Sequence, residues 1–214
     1  MIKLYYYPGN ANLAPHMLPE ELGVAHELVL VDRGVNAHKS AEYMKLSPAG
    51  RIPVLVDDDL VLFESAAICL HLCDTHPQAG LAPAFGSAER AHFYKWLMYL
   101  TNTVQTEMLF YFYPERLADD EASRAEVREH AQARIADMFD LLENAYLEQG
   151  GGPYFLGRRF SAVDCYLLML ARWTRMMDRP GRDRAHLGPY LRRLLDRPAI
   201  ARAFAAEGLA EPLI

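Results

Sequence analysis

Arg51-Ile52-Pro53-Val54-Leu55-Val56, followed by Asp57-Asp58-Asp59 and then by Phe63-Glu64-Ser65-Ala66-Ala67-Ile68, is the stretch on which the reading of this chain turns. It predicts a short β-strand entered through a proline, a hairpin at the aspartates, a second strand, and a step into a helix at Glu64-Ser65. Proline at a strand entrance has no N–H for the sheet, and an Ile-Pro bond there is a candidate cis peptide. The N–H and C=O of Ile52 are then expected to stay free of the sheet, open to an extended peptide-like ligand. Glu64-Ser65 falls where a helix N-terminus offers orphan N–H groups and the positive end of its dipole. A ligand carboxylate suits those amides, and Glu64 suits an ammonium beside it. The expected ligand therefore combines backbone-like amides with a free amino-acid end.

Upstream of this stretch, residues 2–7 read as a strand and Leu13 to Gly23 as a helix with Gly23 as its C-cap. His26 to Val31 alternates into a second strand. A loop and helix from about Asn36 to Leu46 end at Ser47-Pro48. Downstream, Ser65 opens a helix to about Thr75. The order is βαβ followed by ββα. Pro77 to Gly86 reads as a linker. Beyond it the pattern is helical throughout: one long helix from Ser87 to Pro114 burying Phe93, Trp96, Leu97, Leu100 and Val104, a second around Ile135, Met138, Phe139 and Leu142, and a third from Ser161. The implied division is an α/β domain at 1–78, a linker at 79–87 and an all-helical domain at 88–214.

With 214 residues, of which 51% are hydrophobic and 23% charged, the chain can bury a substantial core. Its net charge of −6, with Arg and Lys scattered, argues against a nucleic-acid partner. No uncharged apolar run reaches the roughly 18 residues of a membrane span. The N-terminus lacks the pattern of a signal peptide. Three cysteines give no disulfide framework, as in a reducing cytosol, and a cytoplasmic location is expected.

Four segments carry a family resemblance. Leu4-Tyr5-Tyr6-Tyr7-Pro8-Gly9-Asn10-Ala11-Asn12-Leu13-Ala14-Pro15-His16 resembles the first strand and helix of bacterial cytosolic glutathione transferases, the beta class above all. Ser47-Pro48-Ala49-Gly50-Arg51-Ile52-Pro53-Val54-Leu55 resembles their central proline segment. Phe160-Ser161-Ala162-Val163-Asp164 resembles the cap of their helical domain, and Arg197-Pro198 through Gly208-Leu209 their closing helix. The resemblance implies a thioredoxin-like N-terminal domain that binds glutathione and an all-α C-terminal domain that holds a small hydrophobic electrophile. It also implies a homodimer with the long helix at its interface, and a role in detoxification. Glutathione enters as co-substrate, with no resident cofactor and no metal; the alternatives are glutathione-dependent peroxidase or disulfide-reductase chemistry, or a non-catalytic glutathione-binding module.

Such an enzyme must make a thiolate. Lowering a thiol pKa by two units takes about 2.7 kcal/mol of preferential stabilisation, and one or two hydrogen bonds to the anion at ~1.5–3 kcal/mol each supply it. Ala11 stands where the beta class has its cysteine, Asn10 where other classes have serine, and Tyr6 at the tyrosine-type position. Asn12 ranks first as donor because its NH2 can point at sulfur from the helix entry, with Tyr6, Asn10 and the backbone N–H groups around Ala11 as alternatives. Asn10 and Asn12 also suit a turn or N-cap. His38 and Lys39 are candidates for the ligand's glycine carboxylate, and Arg51 for a group that closes over it; Ile52, Pro53, Glu64 and Ser65 complete the set. Gln105 falls where the beta class has a histidine; it cannot act as a general base but can donate a hydrogen bond. Met108 and Tyr111 are the expected wall of the electrophile pocket. Ser161 and Asp164 read as a capping box, and Cys69, Cys73 and His76 as ordinary helix residues rather than metal ligands.

Overall fold

A computed structural model describes residues 1–214. Strands β1 (Ile2–Tyr6), β2 (His26–Leu30), β3 (Val54–Asp57) and β4 (Leu60–Phe63) form one sheet in the order β2-β1-β3-β4. β2 is parallel to β1, the two joined through helix α1 (Leu13–Leu22), while β3 runs antiparallel to both β1 and β4. Val54 pairs with Tyr5 on one side and Phe63 on the other. The C-terminal ends of β1, β2 and β4 and the start of β3 therefore emerge together at one end of the sheet. That end is where the candidate residues collect.

The alternation of β1 sorts its side chains. Ile2 and Leu4 are buried in the main core, whereas Tyr5 and Tyr7 pack on the smaller cluster of Val31, Tyr43, Ile52 and Val54. Tyr6 takes the opposite face from Tyr5 and Tyr7 and is half-buried. Gly23 at φ 65° closes α1 in the left-handed conformation read from the sequence. Helix α2 (Ala41–Leu46) starts at Ser40, whose Oγ accepts from Tyr43 N at 3.2 Å, and α3 (Ser65–Thr75) follows β4 directly.

The rest of the chain is helical: α4 (Ala88–Tyr99), α5 (Gln105–Phe112), α6 (Glu121–Glu148), α7 (Ala162–Trp173), α8 (Leu187–Leu195) and α9 (Pro198–Ala206). The thioredoxin-like sheet domain and the all-helical second domain agree with the expected architecture. Ser87 caps α4 as expected, its Oγ accepting from Arg90 N at 3.1 Å. The single helix expected from Ser87 to Pro114 runs on from α4 into α5 with helical dihedrals, but carries a π turn over Leu100–Val104. Thr101 Oγ1 donates to Leu97 C=O at 2.8 Å there, the kind of side-chain bond that bends a helix. α7 is buried almost throughout, and its cap holds as read: Asp164 Oδ2 accepts from Ser161 N at 2.8 Å. Asp164 Oδ1 further accepts from Phe155 N at 2.8 Å and Tyr190 OH at 2.7 Å. α8 has no counterpart in the sequence reading.

Candidate functional site

The loop between β1 and α1 is fixed from both domains. Asn12 Oδ1 accepts from Tyr7 N at 3.1 Å, and Asn12 Nδ2 donates to Glu207 Oε1 at 2.8 Å. The same Glu207 oxygen meets His16 Nδ1 at 2.8 Å, and Glu207 Oε2 accepts from Gly9 N at 2.7 Å. Trp173 Nε1 donates to Gly9 C=O at 2.9 Å. Two residues of the helical domain thus grip both polar groups of Gly9, whose φ of 67° is a conformation glycine adopts readily.

This geometry corrects the first-ranked donor. Asn12 is fully buried, and its amide ties the loop to Glu207 instead of facing a cleft. Buried amide groups take internal partners because water is unavailable to them. Asn10 turns its Oδ1 onto Ala11 N at 2.8 Å, so that N–H is occupied, while Asn10 Nδ2 makes no hydrogen bond within the chain. The backbone N–H groups of Asn12 and Ala14 have no partner in the chain, and neither does the Tyr6 hydroxyl. The unpaired donors around the loop are therefore Tyr6 Oη, Asn10 Nδ2 and the amides at the head of α1.

At the start of β3 the Ile52–Pro53 peptide is cis, and Ile52 N–H and C=O make no hydrogen bond within the chain, as the sequence suggested. Across from it, Ile68 N reaches back to Glu64 C=O at 3.0 Å, leaving the N–H groups of Ser65, Ala66 and Ala67 unpaired at the head of α3. Ser65 Oγ donates to Ala11 C=O at 2.9 Å and joins that helix start to the β1–α1 loop. Glu64 is exposed, with φ 75° and ψ 115°.

His38 and Lys39 lie in a 3-10 turn (Ala37–Lys39) packed on the segment before Arg51. Lys39 Nζ donates to Gly50 C=O at 3.1 Å and Ala49 C=O at 3.3 Å. A Cβ on Gly50 would come within 2.9 Å of the His38 carbonyl, so only glycine permits this approach. Burial, followed by the charges of Arg33 and Lys39, holds the His38 imidazole below its ordinary pKa. Arg51 projects into solvent, its C=O held by Tyr43 OH at 2.8 Å. Arg33, which the sequence did not single out, crosses to the helical domain: its Nη2 donates to Tyr113 OH at 2.9 Å, and its guanidinium lies 5.8 Å from the Tyr7 ring centroid.

The helical wall departs from expectation at two positions. Met108 is fully buried in the main core and lines no opening, because it lies on the face of α5 that packs inward. Gln105 Oε1 is taken by Tyr166 OH, so its carbonyl serves the packing of α7. Tyr111 remains half-buried, its ring 5.1 Å from Phe112, which in turn stacks edge-on to Trp173 at 6.2 Å. The aromatic wall that approaches the Gly9 loop is therefore Phe112 and Trp173. Trp173 and Glu207 lay beyond sequence reasoning: a tryptophan at a helix end and a glutamate near the C-terminus carry no local signal of a partner more than a hundred residues away.

The sequence matches two family models, the glutathione S-transferase N-terminal domain over residues 1–74 and the glutathione S-transferase C-terminal domain over residues 125–197. Glutathione S-transferase GstA of Escherichia coli O157:H7 is 27% identical over 210 residues, which cover 97% of this chain and 100% of that protein. Glutathione S-transferase 3 of Zea mays is 30% identical over 220 residues, covering 99% of this chain and 96% of that one. A glutathione transferase homologue from Sulfitobacter, solved with bound glutathione, superposes with a TM-score of 0.88 at 26% identity, covering 98% of this chain and 99% of that one. No helix is long and apolar enough to cross a membrane.

Proposed function

This chain belongs to the glutathione S-transferase family, and on that premise we propose that it binds glutathione at the sheet end described above and adds its thiolate to a small apolar electrophile. The row of unpaired backbone groups carries the reading. Ile52 N–H and C=O match the two hydrogen bonds an extended peptide offers. The free amides of Ser65, Ala66 and Ala67, at the positive end of α3, suit the α-carboxylate of the γ-glutamyl group. Glu64 takes its ammonium, and Lys39 with His38 takes the glycine carboxylate. Arg51 closes over the ligand from solvent.

The cysteinyl sulfur then meets the head of α1. The thiolate is held by the free backbone N–H of Asn12 and by the Tyr6 hydroxyl, with Asn10 Nδ2 as the third donor in reach of the loop. Ala11 supplies no thiol, so the sulfur chemistry is glutathione's own. Phe112, Trp173 and Tyr111 form the apolar side of the electrophile site, with Gln105 behind them. Thiolate absorbance of the glutathione complex, followed against pH, tests the assignment. Tyr6→Phe should raise the bound thiol's pKa by about one unit, a loss of about 1.4 kcal/mol of thiolate stabilisation. A thiol titrating at its free-solution pKa in the unmodified enzyme overturns thiolate activation altogether. Turnover of haloaromatics, epoxides, enals, organic peroxides and mixed disulfides separates conjugation from peroxidase or reductase chemistry.

The chain is further proposed to act as a cytoplasmic homodimer pairing through α4. Tyr94 and Met98 on α4 and Leu60, Val61 and Phe63 on β4 are exposed apolar side chains suited to such a contact. A species sedimenting at the 24.3 kDa of one chain at micromolar concentration rules the dimer out.

A further inference from the structure

His16, Glu20 and His26 each bring one ligand atom to a common point, and these atoms all lie within 4.8 Å of one another. His16 and Glu20 are one turn apart on a single face of α1, and His26 opens the edge strand β2. The hydrogen bonds around them decide which atoms are free. His26 Nδ1 lies 3.1 Å from Val24 C=O, which can only accept, so this nitrogen carries the proton and Nε2 the lone pair. His16 Nδ1 lies 2.8 Å from the Glu207 carboxylate, which again assigns the proton to Nδ1. His16 Nε2 is fully buried with no partner. Glu20 Oε2 is held by Arg202 Nε at 2.6 Å, and its other oxygen, Oε1, lies 3.7 Å from His26 Nε2.

These bonds leave His16 Nε2, His26 Nε2 and Glu20 Oε1 as the atoms of the cluster with a free lone pair. Buried lone pairs are ordinarily matched, and the group that matches three at once is a cation. Two imidazoles and a carboxylate are the donor set of a borderline divalent ion, bound at about 2.0–2.2 Å with a tetrahedral position left for water. Ligand atoms around such an ion stand roughly 3.3 Å apart, so a closing movement of about 1 Å in these side chains completes the site. The outer partners are also in place, since each histidine donates its second nitrogen to an oxygen and the carboxylate is oriented by an arginine. Glu20 and His26 keep 17% and 12% side-chain exposure, which provides a way in from solvent.

We propose that His16 Nε2, His26 Nε2 and Glu20 Oε1 bind one Zn2+-class ion that clasps α1 to β2 and, through Arg202 and Glu207, to the helical domain. The spacing H-x3-E-x5-H lies outside familiar metal motifs, and the sequence reading singled out none of these three residues as a metal ligand. A second proton on either histidine is the competing occupant.

The test is equilibrium dialysis of the metal-stripped protein against Zn2+, with Co2+ absorption reporting geometry. The expected result is one equivalent per chain, visible bands of tetrahedral Co2+, and a higher melting temperature with Zn2+. His26→Ala and Glu20→Gln, at near-surface positions and checked for native circular dichroism, should each weaken binding at least about 100-fold. His92→Ala, at an exposed position on α4, should bind as the unmodified chain does. No uptake at micromolar free Zn2+ overturns the proposal in favour of the protonated pair. Equal binding by His26→Ala and Glu20→Gln, or its loss in His92→Ala, overturns it in favour of adventitious surface histidines.

Discussion

Glu64 sits at φ 75° and ψ 115°, where a non-glycine residue costs on the order of 1–3 kcal/mol unless its surroundings impose the conformation. Here they do: Ile68 N holds the Glu64 carbonyl, and Ser65 Oγ ties the next residue to Ala11. The conformation presents an exposed carboxylate beside three free amides, an arrangement matched to an amino acid's own ammonium and carboxylate. Glu64→Ala should therefore weaken glutathione by about 1.5–3 kcal/mol, the worth of a charge-assisted hydrogen bond. Titration calorimetry decides it, and an unchanged affinity removes Glu64 from the site. His38 gives a second handle at this scale. Its pKa is depressed by burial and by the Arg33 and Lys39 charges, so at neutral pH the imidazole is uncharged in the free protein. The sign follows: neutral His38 favours the fold above the ordinary pKa near 6.5, and that contribution is lost as pH falls through the depressed value. A glycine carboxylate at His38 and Lys39 raises the imidazole pKa, so binding should take up a proton and tighten as pH falls from 7 toward 5.5. Proton NMR of His38 with and without glutathione measures the shift, and an unmoved midpoint excludes it as a contact.

Elements differ in how plainly the sequence announces them, and the reason is range. The cis Ile52–Pro53 strand entrance, the Gly23 cap and the Ser161–Asp164 cap are settled by residues a few positions apart, and all three were legible. The π turn in the helix from Ser87 was not, because polar residues along a long helix carry no local signal of a change in hydrogen-bond register; it shows only once Thr101 is seen bonded to Leu97. Asn12 was misjudged for a similar reason. Its partner Glu207 lies in another domain, and nothing near residue 12 tells a buried amide from a catalytic one. The α7 cap carries a prediction of its own. Asp164→Ala leaves Phe155 N–H, Ser161 N–H and the Tyr190 hydroxyl without an acceptor in the interior, and should cost about 3 kcal/mol or more in urea unfolding. Helices α3 and α7 also hold all the thiols. Cys69, Cys73 and Cys165 are buried, and burial pushes Cys73 up to about 12 and the other two well above their ordinary pKa. Native protein incubated with oxidised glutathione should show no mixed disulfide by intact mass. A stoichiometric adduct would bring a cysteine into the mechanism.

At the scale of the whole molecule, α1 is the member that both domains share. Glu21 pairs with Arg197 at 2.6 and 2.7 Å, Glu20 with Arg202 at 2.6 Å, and Glu207 receives Gly9, Asn12 and His16. The C-terminal segment is anchored in turn, as Arg172 donates to Leu213 C=O at 2.7 Å and Arg182 to Ile214 C=O at 2.6 Å. The helical domain therefore sets the height and tilt of the very amides proposed to hold the thiolate. Glu207 is the one side chain whose removal separates this bracing from direct contact with the ligand. Glu207→Gln keeps the shape but loses the charge and presents an NH2 to groups that also donate. It should lower stability by about 2–4 kcal/mol in urea, as expected when charge-assisted bonds in the interior are broken. It should also raise the pKa of bound glutathione's thiol, since the Gly9–Asn12 loop is no longer held from behind. A purely structural role predicts the first change alone. Thiolate absorbance and urea midpoints measured on the same samples distinguish the two, and a destabilised variant with an unshifted thiol would confine Glu207 to folding.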